Sequence, residues 1–224
     1  MSLAHSTVTI LAKELRTEFR SRELLGTTGV FVLIVIVLFS FTFNPTSSES
    51  RRFGPGLLWL AFLFAGSLML QPSFLREQTN DTLAALRLAP IDPFSILGGK
   101  MAANFLFLLL VELILLPVFA VLYNIAILPV LAPLVLVLAL GTVGLATTGT
   151  VFSAVAAQAR LRELLLPLLL LPVLAPVLIA STEATAGILR DPSELSLVWL
   201  TFLTSFDVVF LTAAWLFGEY LLEE

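Results

Sequence analysis

Cysteine is absent from the sequence, and histidine occurs once, as His5. Without cysteine there are no disulfides, thiolate metal sites or thiol nucleophiles. A single imidazole near the start of the chain has no companions with which to hold a metal. Charge is scarce: 12% of residues are Asp, Glu, Lys or Arg, against the ~25% usual in soluble domains. The motifs of soluble enzymes are missing as well. A phosphate loop needs Gly-x4-Gly-Lys, and ahead of Gly99-Lys100 the place of the first glycine is apolar. There is no His-Glu-x-x-His and no Ser/His/Asp set. An enzyme carrying its own chemistry is excluded, and energy from ATP has to come from a partner.

What is present is apolar length. Of 224 residues, 58% are hydrophobic, and the mean hydropathy is +1.03. A soluble core of this size could not hide that much apolar surface, so the solvent is lipid. The runs at about 25–43, 57–75, 101–123, 128–157, 164–182 and 195–220 each reach the ~20 residues that cross a hydrocarbon core. The expected fold is an all-α polytopic membrane protein of about six transmembrane helices in one permease domain, 1–224. Trp59, Trp199 and Trp215 lie toward the ends of these runs, where indole anchors to the interface.

Residues 6–24 precede the first run. Val8, Leu11, Leu15 and Phe19 repeat at three to four residues among charged neighbours. That spacing predicts an amphipathic helix lying in the headgroup plane on a narrow apolar stripe. The charged stretch from Lys13 to Glu23 does not fit a cleaved signal peptide. Lys and Arg set the topology. Nine fall on the side of the N-terminus and the second and fourth loops; three (Arg51, Arg52, Arg190) fall on the other. Both termini are therefore expected in the cytoplasm.

The second loop, 76–100, is the longest. It carries Pro90 and Pro93, short apolar-periodic pieces, and Gly98-Gly99 before the next span. Long loops with structure of their own are usually functional, and this one is the expected ATPase-docking element. Its candidate contact residues are Glu77, Thr82, Leu83, Pro90, Asp92, Pro93 and Phe94.

Glu112 and Asp207 place carboxyls inside spans, where a charge is costly and must find a cavity, a partner or another helix. For Glu112 a coupling role and a structural hydrogen bond both fit. Gln71 and Asn104 read as packing groups near span ends. Thr142, Ala146, Thr150 and Ala154 recur every fourth residue as a small-residue ridge for close helix approach, within or between protomers. Pro167, Pro172 and Pro176 share one span and suit a kinked element.

Several blocks are similar to the cytochrome c maturation protein B (CcmB) haem-exporter family. They are Gly56-Leu-Leu-Trp-Leu-Ala-Phe-Leu-Phe-Ala-Gly66; Phe74-Leu-Arg-Glu77 with Thr82-Leu83, Leu88-Ala-Pro90 and Gly99-Lys100; Ala103 to Leu113; Arg162 to Pro172; and Phe206-Asp207 with the Glu-Glu end. At Asp81 and Ala84 the chain departs from the family's Gly and acidic residue. The Glu, Thr-Leu, Ala-Pro, Gly-Lys pattern is shared with ABC-2 type permeases. The resemblance implies a six-helix permease subunit in a bacterial-type inner membrane. Its implied partners are an ATP-binding subunit (CcmA), the membrane proteins CcmC and CcmD, and the haem chaperone CcmE. A homodimer within the complex is expected, because one copy has about six spans and no internal repeat. Haem is implied as transported or transferred ligand, ATP only through the partner, and no nucleic acid. Two alternatives stay open: an ABC-2 permease for a lipid, polysaccharide or drug, and a non-transporting scaffold that couples ATPase motion to partner release.

Overall fold

The computed structural model describes residues 3–42, 48–74, 92–157, 162–190 and 196–223. Among these are seven α-helices: α1 Leu3–Ser21, α2 Glu23–Thr42, α3 Ser48–Leu70, α4 Pro93–Leu122, α5 Leu131–Ala157, α6 Arg162–Arg190 and α7 Leu197–Glu223. A short 3-10 turn, Leu128–Val130, leads into α5. Among the described residues, six stretches are long and apolar enough to span a membrane: Glu23–Phe41, Arg52–Phe74, Pro93–Leu122, Leu128–Ala157, Leu166–Arg190 and Leu197–Gly218. Helix is the form an open segment takes in lipid, because it satisfies every backbone donor and acceptor internally.

α5 is the hub and touches α3, α4, α6 and α7. Its small residues permit this. A Cβ at Gly141 would collide with the Trp59 ring of α3, and one at Gly149 with Leu70 of the same helix. α2 and α7 lie at the periphery and keep large apolar side chains outward, among them Phe31, Ile34 and Leu38 on α2 and Val209, Trp215 and Phe217 on α7. Phe94 and Leu97 of α4 face Gly218 near the end of α7, whereas Gly54 of α3 faces Phe119 and Tyr123 at the other end of α4. The start of α4, the end of α7 and α1 thus share one end of the bundle.

α1 does not run straight into α2. Arg22 adopts a left-handed φ of 55° between them, and its N–H donates to the Glu18 carbonyl at 2.6 Å. The Glu18 carboxylate accepts the Leu25 N–H at 2.9 Å, satisfying one of the orphan donors in the first turn of α2. Of the expected apolar stripe of α1, Leu11 and Leu15 pack against the core, Phe19 meets the Phe107 ring of α4 edge-on, and Val8 is exposed. Beside them Ser6, Ile10 and Glu18 are buried, and Glu14 reaches Lys100. Those positions recur every four residues; α4 supplies Lys100 for Glu14, and the start of α2 supplies the Leu25 N–H for Glu18.

The loop expected over 76–100 ends earlier than its glycines suggest. Asp92 caps α4 by accepting the Phe94 N–H at 2.8 Å, and Pro93 fills the first helical position, where a missing N–H costs nothing. Gly98 and Gly99 lie inside the helix. Gly99 is there because α1 sits against it: a Cβ would overlap Ile10 and meet the Thr7 carbonyl. α6 is assigned as one continuous helix through Pro167, Pro172 and Pro176 and runs on to Arg190.

Candidate functional site

Two sets of polar side chains interrupt the apolar packing. The first lies at the α1 end. Lys100, 1% exposed, places its ammonium 2.9 Å from Glu14 Oε1, donates to the Ser73 carbonyl, and sits 4.9 Å from the centre of the Phe74 ring. Lys13 reaches the same Glu14 oxygen at 3.0 Å from the exposed side. Burial pushes the Glu14 carboxyl up, but the two ammonium groups outweigh it and hold the carboxyl below its ordinary value of 4.5. One turn along α4, Asn104 donates to Ser73 Oγ at 3.2 Å and to Thr150 Oγ1 at 2.9 Å. Ser153 of α5 donates to the Leu70 carbonyl at 2.7 Å. α1, the tail of α3, α4 and α5 are thereby stitched together.

The second set lies deeper. Glu112 is ten residues before the end of α4, Thr142 eleven after the start of α5, and Asp207 ten after the start of α7. At 1.5 Å per residue each is about 15 Å in from the helix ends remote from α1. The Thr142 hydroxyl is 2.6 Å from Glu112 Oε2 and 2.6 Å from the Leu138 carbonyl; Glu112 Oε1 has no partner. Trp59 Nε1 donates to Thr185 Oγ1 of α6 at 3.0 Å. Asp207 faces Gly144, where a Cβ would come within 3.0 Å of Oδ1. Both Asp207 oxygens, Thr148 Oγ1 and Ser181 Oγ are buried without partners. Gly141, Gly144 and Thr148 share a face of α5 by helical spacing, so these unpaired oxygens line the seam where α5 meets α6 and α7.

The candidate residues fall as follows. Glu77, Thr82, Leu83 and Pro90 lie outside the described residues. Asp92 is exposed as a cap, and Pro93 and Phe94 are half-buried in the first turn of α4. The ridge on α5 turns toward α4 in the same chain: Thr142 meets Glu112, Thr150 meets Asn104, and Ala154 packs among Ile10, Phe74 and Met101. Ala146 is buried between Thr142 and Thr150. Glu112 and Asp207 are both buried, on opposite sides of α5, because Thr142 and Gly144 are two residues apart on the helix. Trp59 is a correction: it is a fully buried core residue packed edge-on against Phe62, and only Trp215 is largely exposed. Trp59 turns inward because Gly141 makes room for the ring and Thr185 satisfies the indole N–H.

Sequence reasoning passed over the Lys100–Glu14 pair and the Glu18 cap. A signal for the first was present. Lys100 is flanked by Ile96-Leu97 and by an apolar run from Met101, and a lone lysine in such a setting needs a carboxylate.

Comparison with known proteins places this architecture. The family model described as CcmB protein matches residues 5–217. Heme exporter protein B of Pseudomonas aeruginosa is 34% identical over 199 residues, covering 88% of each chain. Heme exporter protein B of Rhodobacter capsulatus is 32% identical over 174 residues, 78% of this chain and 79% of the relative. Heme exporter protein B of Escherichia coli K12 is 31% identical over 97 residues, 43% of this chain and 44% of the relative. With a family match across nearly its whole length and a bundle of six apolar helices to carry it, the chain belongs to the CcmB protein family.

Proposed function

We propose that this chain is the membrane permease subunit of an ATP-driven complex that exports or delivers haem for c-type cytochrome maturation. The observation that carries the proposal is the similarity to Heme exporter protein B over 88% of both chains. ATP is hydrolysed by a separate subunit of the CcmA kind, docked on the connection between α3 and α4 and the capped start of α4. CcmC, CcmD and the chaperone CcmE complete the machinery, and two copies of this chain face two ATPase subunits. The chain lies in the inner membrane of a bacterial-type cell. The nine Lys and Arg residues of the α1 side against three on the other orient α1 and both termini to the cytoplasm.

The test is complementation with co-purification. In a bacterium deleted for its own Heme exporter protein B, this chain restores haem-stained c-type cytochromes and recovers an ATP-binding subunit on pulldown. Replacing Asp92-Pro93-Phe94 by Gly-Ser-Gly leaves the chain in the membrane and abolishes ATPase recovery. No restoration, or recovery of a polysaccharide-export ATPase instead, rejects the reading.

A second reading, that this chain transmits ATPase motion while another subunit holds the haem, draws on the side chains that could ligate iron. Axial ligation uses His, Cys, Met or Tyr. Met69, Met101 and Tyr123 are buried in packing, with Tyr123 stacked on Phe119, while His5 and Tyr220 are exposed on α1 and at the end of α7. At the end remote from α1, a cleft of about 340 Å³ is lined by Asn124, Ile125, Ala126, Leu189 and Arg190. None of these is an axial ligand. Haem-dependent cross-linking of this chain in the active complex, present or absent, separates the two readings.

A further inference from the structure

Lys100 joins three pieces of chain that are far apart in sequence. Its ammonium meets Glu14 in the middle of α1, the carbonyl of Ser73 and the ring of Phe74 just beyond α3. It does so from the second turn of α4, eight residues after the Asp92 cap. The peptide on either side of the α3–α4 connection is therefore tied to one buried cation, and that cation is tied to α1. The seat is close: a Cβ at Gly99 would overlap Ile10 and come to 3.0 Å from the Thr7 carbonyl, and Ser95 Oγ donates to the Leu3 carbonyl at 3.4 Å. Asn104 carries the connection one turn further, to α5.

We propose that Lys100 is a positioning residue that makes α1, the tail of α3 and the first turns of α4 move as one lever, delivering motion that enters between α3 and α4 to α1 and α5. The proposal rests on the reading that the ATPase docks between α3 and α4. An ammonium whose carboxylate partner sits on α1 and whose carbonyl and ring partners sit just beyond α3 keeps them only if those segments do not slide past α4. Sliding would strand a charge in apolar surroundings, which is far costlier than moving the group as a unit. The turning point is next door: α1 meets α2 at the left-handed Arg22 elbow, where a change of angle has to accommodate the Arg22–Glu18 backbone bond and the Glu18–Leu25 cap but leaves the Lys100–Glu14 pair untouched. The lever turns there against α2 while its internal contacts hold.

The absence of cysteine allows a direct test. A Cβ at Gly98 would stand 3.8 Å from Thr7 Cγ2 and 3.6 Å from the Phe94 ring, ordinary contacts that put positions 7 and 98 side by side across the α1–α4 seam. In the full complex, Thr7→Cys with Gly98→Cys is oxidised in permeabilised cells, and ATPase rate and cytochrome maturation are read before and after. Cross-linked α1 and α4 keep both, because the two already move together. Lys100→Met lowers cytochromes matured per ATP hydrolysed severalfold while the ATPase stays bound, and the cross-link restores that ratio. The charge reversal Glu14→Lys with Lys100→Glu does better than either single change. Loss of maturation on oxidation, regained with reductant, means that α1 slides on α4 and overturns the proposal. A Lys100→Met complex with the native ratio overturns it too. Where Lys100→Met does not accumulate in the membrane, the cross-link alone decides. Failure of the docking reading shows separately, as wild-type complex purified without any ATP-binding subunit, and takes the lever's role with it.

Discussion

The Thr142 hydroxyl lies 2.6 Å from Glu112 Oε2 and equally far from the Leu138 carbonyl one turn behind it, with one proton for two acceptors. The contact ties α4 to α5 at mid-bundle and leaves Glu112 Oε1 unsatisfied. A residue that only glued two helices would be served as well by an amide. Glu112→Gln and Glu112→Leu are both expected to insert and assemble yet mature fewer cytochromes, with Gln the milder because it keeps an acceptor for Thr142. Thr142→Val removes the shared hydroxyl and costs about 0.6 kcal/mol, the usual worth of an interhelical hydrogen bond in a membrane. Haem-stained cytochromes normalised to chain in the membrane give the comparison. A Glu112→Leu chain that works at the native rate makes the carboxyl a tolerated structural group.

Gly98 and Gly99 are adjacent and are expected to respond oppositely. An Ala at Gly98 makes ordinary contacts with Phe94 and Thr7, whereas one at Gly99 overlaps Ile10 and crowds the Thr7 backbone. In a helix interior Ala is favoured over Gly by about 1 kcal/mol. Gly98→Ala should therefore hold or raise the melting temperature in detergent. Gly99→Ala should lower it, because backbone cannot yield as a side-chain tip can. Equal shifts in the two variants would show that α1 is not seated on α4 as described.

These residues also show what a sequence can and cannot disclose here. The six spans are legible because lipid imposes one rule on every segment, twenty or so apolar residues in a helix. Partners are not legible when they lie far along the chain. Gly98-Gly99-Lys100 reads as the end of a loop until α1 is packed against it, and the Lys100–Glu14 pair closes over 86 residues. Trp59 reads as an interfacial anchor because its hydrogen-bond acceptor, Thr185, is 126 residues away. The stripe on α1 is legible at Leu11, Leu15 and Phe19, whereas the acidic positions beside it are not. Glu14 and Glu18 are turned inward by Lys100 and by the start of α2, against what their polarity alone suggests.

Glu14 gives the α1–α4 contact a pH dependence whose sign is determined. Its carboxyl is held below the ordinary value of 4.5, mainly by Lys100 and Lys13 against burial. A depressed folded value means the stabilisation is complete above 4.5 and is lost as pH falls through the lowered value. Spin labels on exposed Val8 of α1 and exposed Leu106 of α4 should report one narrow distance at neutral pH and a broader one in acid. Glu14→Gln should remove the dependence, being broad at both. A narrow distance retained in acid by the native chain would assign the hold on α1 to apolar packing around Ile10 alone.

Among the described residues, Asp207 is the one buried side chain with two unpaired oxygens. It is 5% exposed, both carboxyl oxygens lack partners, and Thr148 Oγ1 and Ser181 Oγ on the same seam lack them too. Buried polar atoms are almost always paired, and an unpaired one lowers stability by about 1–3 kcal/mol. Groups retained at such expense sit at functional sites more often than in plain core. Asp207→Leu is therefore expected to raise the melting temperature of the chain while reducing cytochrome maturation. Asp207→Asn, which keeps the shape and stays polar, should give little gain in stability. Gly144→Ala provides the steric counterpart. Its methyl would press on Asp207 Oδ1 at 3.0 Å and on the Phe206 ring at 3.4 Å, so it should perturb α7 without touching the charge. Stability and maturation measured together decide the matter. If Asp207→Leu loses both, the carboxyl is structural and has found a partner in the assembled complex; if it gains stability and keeps full activity, the seam has no part in the cycle.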